Sequence, residues 1–217
     1  MKLLTLLKNL SFATLLGAVS WSAAAQHVPQ AGTDYRVLDR ALSTEAPPGK
    51  IEVIEFFWYG CPHCNAFEPA LEAWAKQLPK DVLFRRVPVA FSAAQMPHTR
   101  IYYALEALGK LPELHTKVFA AIHVQHMRLL RPEEIADWMA QQGINRDEFM
   151  KAYTSFTVQS KSTRATQTWQ AYNIDGVPTM AVAGKYVTSG SMAGTNEKAL
   201  AVVDYLVAKE RKEMGRK

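Results

Sequence analysis

The run IEVIEFFWY at residues 51–59 is β-branched or aromatic almost throughout, and it stops at Gly60. Beyond Gly60 the apolar residues recur at helical spacing, at Phe67, Leu71, Trp74 and Leu78. A nearly continuous apolar run is the pattern of a central strand covered on both faces. The chain therefore predicts a buried strand that passes straight into a helix. The joint reads Cys61-Pro62-His63-Cys64 and holds both cysteines of the chain.

That placement suits redox chemistry better than a structural staple. Only a thiolate attacks a disulfide, so a redox cysteine gains from a lowered pKa. At a helix N-terminus, unpaired backbone N–H groups and the positive end of the helix dipole stabilise the Cys61 anion. Pro62 suits the first helical position, because the N–H it lacks has no intrahelical partner there. His63 offers a hydrogen bond or a positive charge beside the sulfur. Cys64 lies further inside the helix and is less exposed. Cys61 is thus the attacking residue and Cys64 the resolving one. Whatever stabilises the Cys61 thiolate stabilises the reduced protein, so the disulfide tends to oxidise other proteins. Competing uses of the pair fit less well. A zinc site needs further ligands, and His123 and His126 lie on a separate helical pattern. Haem attachment needs a histidine at residue 65, which is Asn65. A structural disulfide closing so small a loop adds little restraint. No metal or cofactor is expected.

The order of elements along the rest of the chain sets the fold class. The segment 35–38 alternates as a short first strand, and 46–50 is a turn. Glu52 at the start of the apolar run is expected to be solvated, whereas Glu55 lies in its middle. Pro69 interrupts the first helix and predicts a kink or restart. Another strand follows at 82–89, with Arg85 and Arg86 inside it. From residue 91 to 164 only helical patterns occur: one ended by Gly109, one around Leu114 and Phe119, one opened by Pro132, and one capped by Asn145. A helix over 158–172 leads back to a strand at 177–183, a two-residue turn at Gly184-Lys185, a partner strand at 186–189, and a final helix from Thr195. This is an α/β chain with a helical block inserted in it. The expected division is 26–90 and 165–217 for the α/β unit and 91–164 for the insertion.

At 217 residues and 48% hydrophobic content the chain can bury a sizeable core. Its formal charge of +5 is interspersed with acids along the sequence, as on a solvated surface, and no nucleic-acid footprint is expected. Residues 1–25 read as a secretory leader: Lys2 and Lys8, a short apolar core over 10–19, and Ala23-Ala24-Ala25 for a cut before Gln26. Export places the cysteine pair where disulfides persist, and the bacterial style of the leader points to the periplasm.

With these residues in view, the chain resembles the thioredoxin superfamily and, within it, the DsbA-type branch. The matching motifs are EFFWYGCPHC at 55–64 and GVPT at 176–179. The resemblance implies a thioredoxin-like fold with an inserted all-helical subdomain. It implies that Cys61 is the nucleophile, Cys64 its buried partner, and Pro62 and His63 the dipeptide that tunes the potential. Pro178 matches the family's cis-proline facing the active site, beside which the backbone of Val177 pairs with an extended substrate segment. Glu55 matches a buried acid beneath the pair, for which proton relay and a plain ion pair with Arg85 or Arg86 both fit. Arg86 stands where the family often has lysine. Arginine does not carry protons, which leaves it an electrostatic role. Trp58, Tyr59, Met180 and Met192 are candidates for an apolar substrate groove. The activity implied is disulfide donation to newly exported proteins with free thiols, by a monomer that a membrane quinone reductase of the DsbB type reoxidises. Disulfide isomerase and thiol-idle binding module are the other readings.

Overall fold

All seven residues of strand β2 (Ile51–Phe57) are buried, including both glutamates. A computed structural model describes residues 27–215, so the leader and its cut lie outside the described residues. β2 sits inside a five-stranded sheet of order β1-β5-β4-β2-β3. β3 (Val82–Pro88) runs parallel to it, with Ile54 opposite Arg85 and Glu55 opposite Arg86. β4 (Thr179–Val182) flanks it on the other side, antiparallel. β5 (Tyr186–Ser189) pairs with β4, and the two-residue β1 (Arg36–Val37) closes the edge. The hairpin turn is centred on Ala183 and Gly184, one residue earlier than expected. Both have positive φ, at 54° and 67°, which matches the twist of a tight hairpin. A side chain at residue 184 would also collide with the Leu42 carbonyl, so only glycine fits.

Alternation along β2 sends its side chains into two cores. Ile51 and Val53 pack with Phe67 and Leu71 of α1 (Pro62–Ala75) and with Val203 and Leu206 of α8 (Asn196–Glu213). Ile54 and Phe56 join the core that the remaining helices build. Those are α2 (Met96–Ala107), α3 (Leu111–His123), α4 (Pro132–Gln141), α5 (Arg146–Tyr153) and α6 (Phe156–Ala171). Asn145 caps α5 as the sequence predicts, accepting from the N–H groups of Asp147 and Glu148; of Thr195 and Asn196, the two candidates at the start of the last helix, Thr195 is the cap and accepts from the Lys198 N–H. α6 is one helix across residue 164, where the insertion was expected to end. A 3-10 turn (Ala93–Gln95) and the short α7 (Gly190–Ala193) carry too few residues to show a period.

One expectation is narrowed and one needs correction. Of the kink or restart expected at Pro69, the restart is absent, because α1 runs through it as one helix. Phe67 and Leu71, on either side of it, are both held in the core, and this packing outweighs the hydrogen bond that proline removes. Glu52 is not solvated but 1% exposed. Its Oε1 accepts from Arg85 Nε at 2.9 Å and from the Glu45 N–H at 2.8 Å, which compensates its burial.

Candidate active site

The strand ends at Phe57, and the next four residues deliver Cys61 to the N-cap of α1. Gly60 is required on the way, because any Cβ there would overlap the Trp58 indole. That indole stacks on His98, with ring centres 5.8 Å apart. Pro62 takes the first turn, and the Cys64 N–H donates to Cys61 Sγ at 3.4 Å. The Cys61 thiol donates in turn to the Val177 carbonyl at 3.4 Å. Both cysteines are free thiols, so this is the reduced site. Cys61 is 7% exposed and Cys64 fully buried.

The two thiols are pushed apart in acidity. A hydrogen bond from the Cys64 thiol lowers the Cys61 pKa to about 6. Burial opposes this, while the N–H groups of Cys64 and His63 and the charge of His63 assist it. Burial drives Cys64 far upward, and the neighbouring Cys61 and Glu55 add to the rise. The arrangement therefore holds one ready nucleophile and one thiol that keeps its proton.

Val177 and Pro178 are brought to the pair as expected, and the Val177–Pro178 bond is cis. They line a cleft of about 410 Å³ with His63 at one side. Its remaining walls include Asp175, Ser189, Ser191 and Asn196, so the cleft is polar. The expected apolar lining is not found there. Tyr59 and Met180 are core residues, turned inward by the period of the strand and its extension. Trp58 lies against His98, and Met192 is not among the lining residues.

Beneath Cys64 lies a network of charge. Glu55 is fully buried, and Arg86 Nε donates to its Oε2 at 2.9 Å. Arg86 Nη2 also donates to Glu68 at 2.7 Å and to Glu72 at 2.8 Å, so one cation serves three carboxylates. Burial raises the Glu55 pKa to about 8; the Arg86 charge opposes this, and the charges of Glu68 and Glu72 add to it. The ion pair and the position under the Cys pair thus coexist in Glu55. Glu68 and Glu72 were missed, although Cys64, Glu68 and Glu72 fall at i, i+4 and i+8 and so share one helix face. His115 is a further residue of the network that no sequence motif marks. It is 4% exposed, and its Nδ1 lies 2.8 Å from the Tyr59 hydroxyl. His123 reaches the Tyr59 carbonyl at 2.8 Å. No sequence spacing links residues 59 and 115. Among the described residues, no group of three or more His, Cys, Asp or Glu could hold a metal ion.

Comparison with known proteins accounts for this geometry. Residues 52–196 match the DSBA-like thioredoxin domain. The chain is 50% identical over 166 residues to the thiol:disulfide interchange protein DsbA of Azotobacter vinelandii, covering 76% of this chain and 78% of that one. It is 43% identical over 203 residues to the protein of the same name from Burkholderia cepacia, covering 94% and 93%. The crystal structure of Pseudomonas aeruginosa DsbA superposes with a TM-score of 0.83 at 41% identity, covering 87% of this chain and 97% of that one. With a Cys-Pro-His-Cys pair split in acidity at the head of α1 and a mixed sheet behind it, the chain belongs to the DSBA-like thioredoxin domain family of thiol:disulfide oxidoreductases.

Proposed function

We propose that this protein is a periplasmic dithiol oxidase that donates its Cys61–Cys64 disulfide to newly exported proteins with free thiols. The observation that carries this reading is the N-cap position of Cys61, whose thiolate is favoured in the reduced protein. Stabilising the reduced form makes the disulfide a strong electron acceptor. The names of its relatives, thiol:disulfide interchange proteins, support the same chemistry.

A substrate thiolate attacks Cys61 Sγ, the Cys61–Cys64 bond breaks, and Cys64 leaves as a thiolate. Glu55, whose proton is retained to about pH 8, supplies that proton to Cys64. A second substrate thiolate then attacks the substrate sulfur of the mixed disulfide, and Cys61 leaves as a thiolate. Two substrate thiols have become one disulfide, and the enzyme has gained two electrons. Pro62 and His63 tune the first step through the cap and the charge beside Cys61. The backbone of Val177, next to Pro178, pairs with the extended substrate segment. Arg86 acts electrostatically. A membrane quinone reductase of the DsbB type returns the disulfide, and the enzyme works as a monomer. No helix among the described residues is long and apolar enough to cross a membrane.

The test is a redox titration against glutathione together with two variants. The oxidase reading expects a potential well above that of thioredoxin, about −270 mV. It expects no turnover of a dithiol peptide by Cys61→Ser. With Cys64→Ala it expects a stable mixed disulfide through Cys61 when the peptide is supplied as its mixed disulfide with glutathione, the Cys61 thiolate attacking the peptide sulfur and glutathione leaving as the thiolate. A potential as reducing as thioredoxin's would sink it, as would full binding and turnover by Cys61→Ser.

A further inference from the structure

His115 is buried where three elements meet. Its ring packs on Phe57 at the end of β2, it belongs to α3, and its Nε2 points at Glu68 of α1, 3.5 Å from Oε1. Among the described residues Nε2 has no hydrogen-bond partner, and Glu68 Oε2 is buried without one as well. The Glu68 carboxylate, through Oε1, is the acceptor that the Nε2 atom approaches. A carboxylate only accepts, so Nε2 must carry the ring proton to pair with it. In the neutral ring Nδ1 is then the acceptor, and the Tyr59 hydroxyl 2.8 Å away is its donor. Tyr59 is well suited to this, because burial holds its hydroxyl protonated. The sequence of contacts is therefore Tyr59 to His115 to Glu68 to Arg86 to Glu55, ending beneath Cys64.

We propose that His115 is a positioning residue for the thiol exchange: oriented by Tyr59, it holds Glu68 as the carboxylate, so that Arg86 is shared and Glu55 keeps the proton that Cys64 exchanges.

Arg86 donates to Glu55, Glu68 and Glu72 at 2.9, 2.7 and 2.8 Å. If Glu68 took a proton, it would cease to compete for the guanidinium, and Arg86 would pull Glu55 toward its anion. The charged groups that act on Glu55 are Arg86 from β3 and Glu68 and Glu72 from α1. Cys64, Tyr59 and Tyr102 from α2 lie within the reach of its charge, and His115 from α3 acts on Glu68. Of these, His115 is the neutral donor that acts through Glu68. Glu68, Arg86 and His115 also line a groove of about 760 Å³ between α1 and α3, with Leu111, Pro112 and Phe119 as apolar walls. The groove brings the charged network close to solvent.

This inference rests on the proton role given to Glu55 above, and its test separates the two. Carbon-13 NMR of labelled glutamates follows the Glu55 midpoint, and nitrogen-15 NMR reads the His115 tautomer. In the unaltered protein the ring should be neutral with the proton on Nε2; a proton on Nδ1 alone overturns the proposal. In His115→Phe the proton affinity of Glu55 should fall about tenfold or more. His115→Gln, which keeps a donor and an acceptor, should restore it. Glu68→Gln should lower it alike, and His115→Phe should add nothing on that background. A folded His115→Phe, or a Glu68→Gln, with an unmoved Glu55 midpoint overturns the proposal. Peptide oxidation by the unaltered protein in the same samples reports on the oxidase reading independently.

Discussion

The acidity of Cys61 has a consequence for stability that is measured without any substitution. Its folded-state pKa is lowered from 9.0 to about 6. For a lowered pKa the stabilisation is complete above the unfolded value and vanishes as pH falls through the folded value. At pH 5 both states hold the proton, and the effect is nearly zero. At pH 7 the folded thiol is mostly ionised and the unfolded one is not, which is worth about 1.4 kcal/mol. Above pH 9 it approaches about 4 kcal/mol. The oxidised protein has neither thiol and serves as the internal reference, since its other charges are common to both forms. The stability of the reduced protein minus that of the oxidised one should therefore rise by about 1.4 kcal/mol between pH 5 and 7. That corresponds to a disulfide more oxidising by about 30 mV. Urea unfolding of both forms across this range measures the difference, and thiolate absorbance near 240 nm gives the midpoint directly. A reduced-minus-oxidised difference that stays flat from pH 5 to 8, or a midpoint near 8.5, would refute the reasoning from the cap to the potential.

Three further outcomes follow from the same site. Glu55→Gln replaces a carboxyl whose pKa is raised from 4.5 to about 8. A raised pKa means that the native state binds the proton the unfolded state has lost, so stability falls with rising pH between those values. The variant should gain on the unaltered protein progressively over that range in urea unfolding, and should form the mixed disulfide more slowly; parallel pH curves would count against the assignment. Arg86→Met removes the cation shared by Glu55, Glu68 and Glu72 and should cost about 3–5 kcal/mol in chemical unfolding at neutral pH; a loss below about 1 kcal/mol would show that the network contributes little. Gly60→Ala forces a methyl group into the Trp58 indole and should cost about 1–3 kcal/mol, with a change in tryptophan fluorescence as the ring leaves His98; unchanged fluorescence would contradict the close approach.

Local pattern carried much of this protein. The apolar run at 51–59, the helical period after Cys61 and the caps at Asn145 and Thr195 are consequences of chain neighbours, and the structure places all of them near where the spacing predicts. The cysteine pair at the strand–helix joint was equally legible, because an N-cap is a local object. Where long-range packing competes with local preference, the reading failed. Glu52 is buried because Arg85 comes to meet it from the next strand.

The amino-acid sequence by itself determined the order of elements, the place of Cys61 at a helix start, and the pairing of Val177 with Pro178 ahead of a strand. Tertiary structure alone decided what surrounds them. Burial under the helix sends the Cys64 pKa up, and register across β2 and β3 sets Glu55 opposite Arg86. The fold of α3 onto α1 brings His115, fifty-six positions from Tyr59 in the chain, to 2.8 Å from its hydroxyl. Acidity depends on dielectric and on charges within a few ångströms, and those distances exist only once the chain has closed on itself.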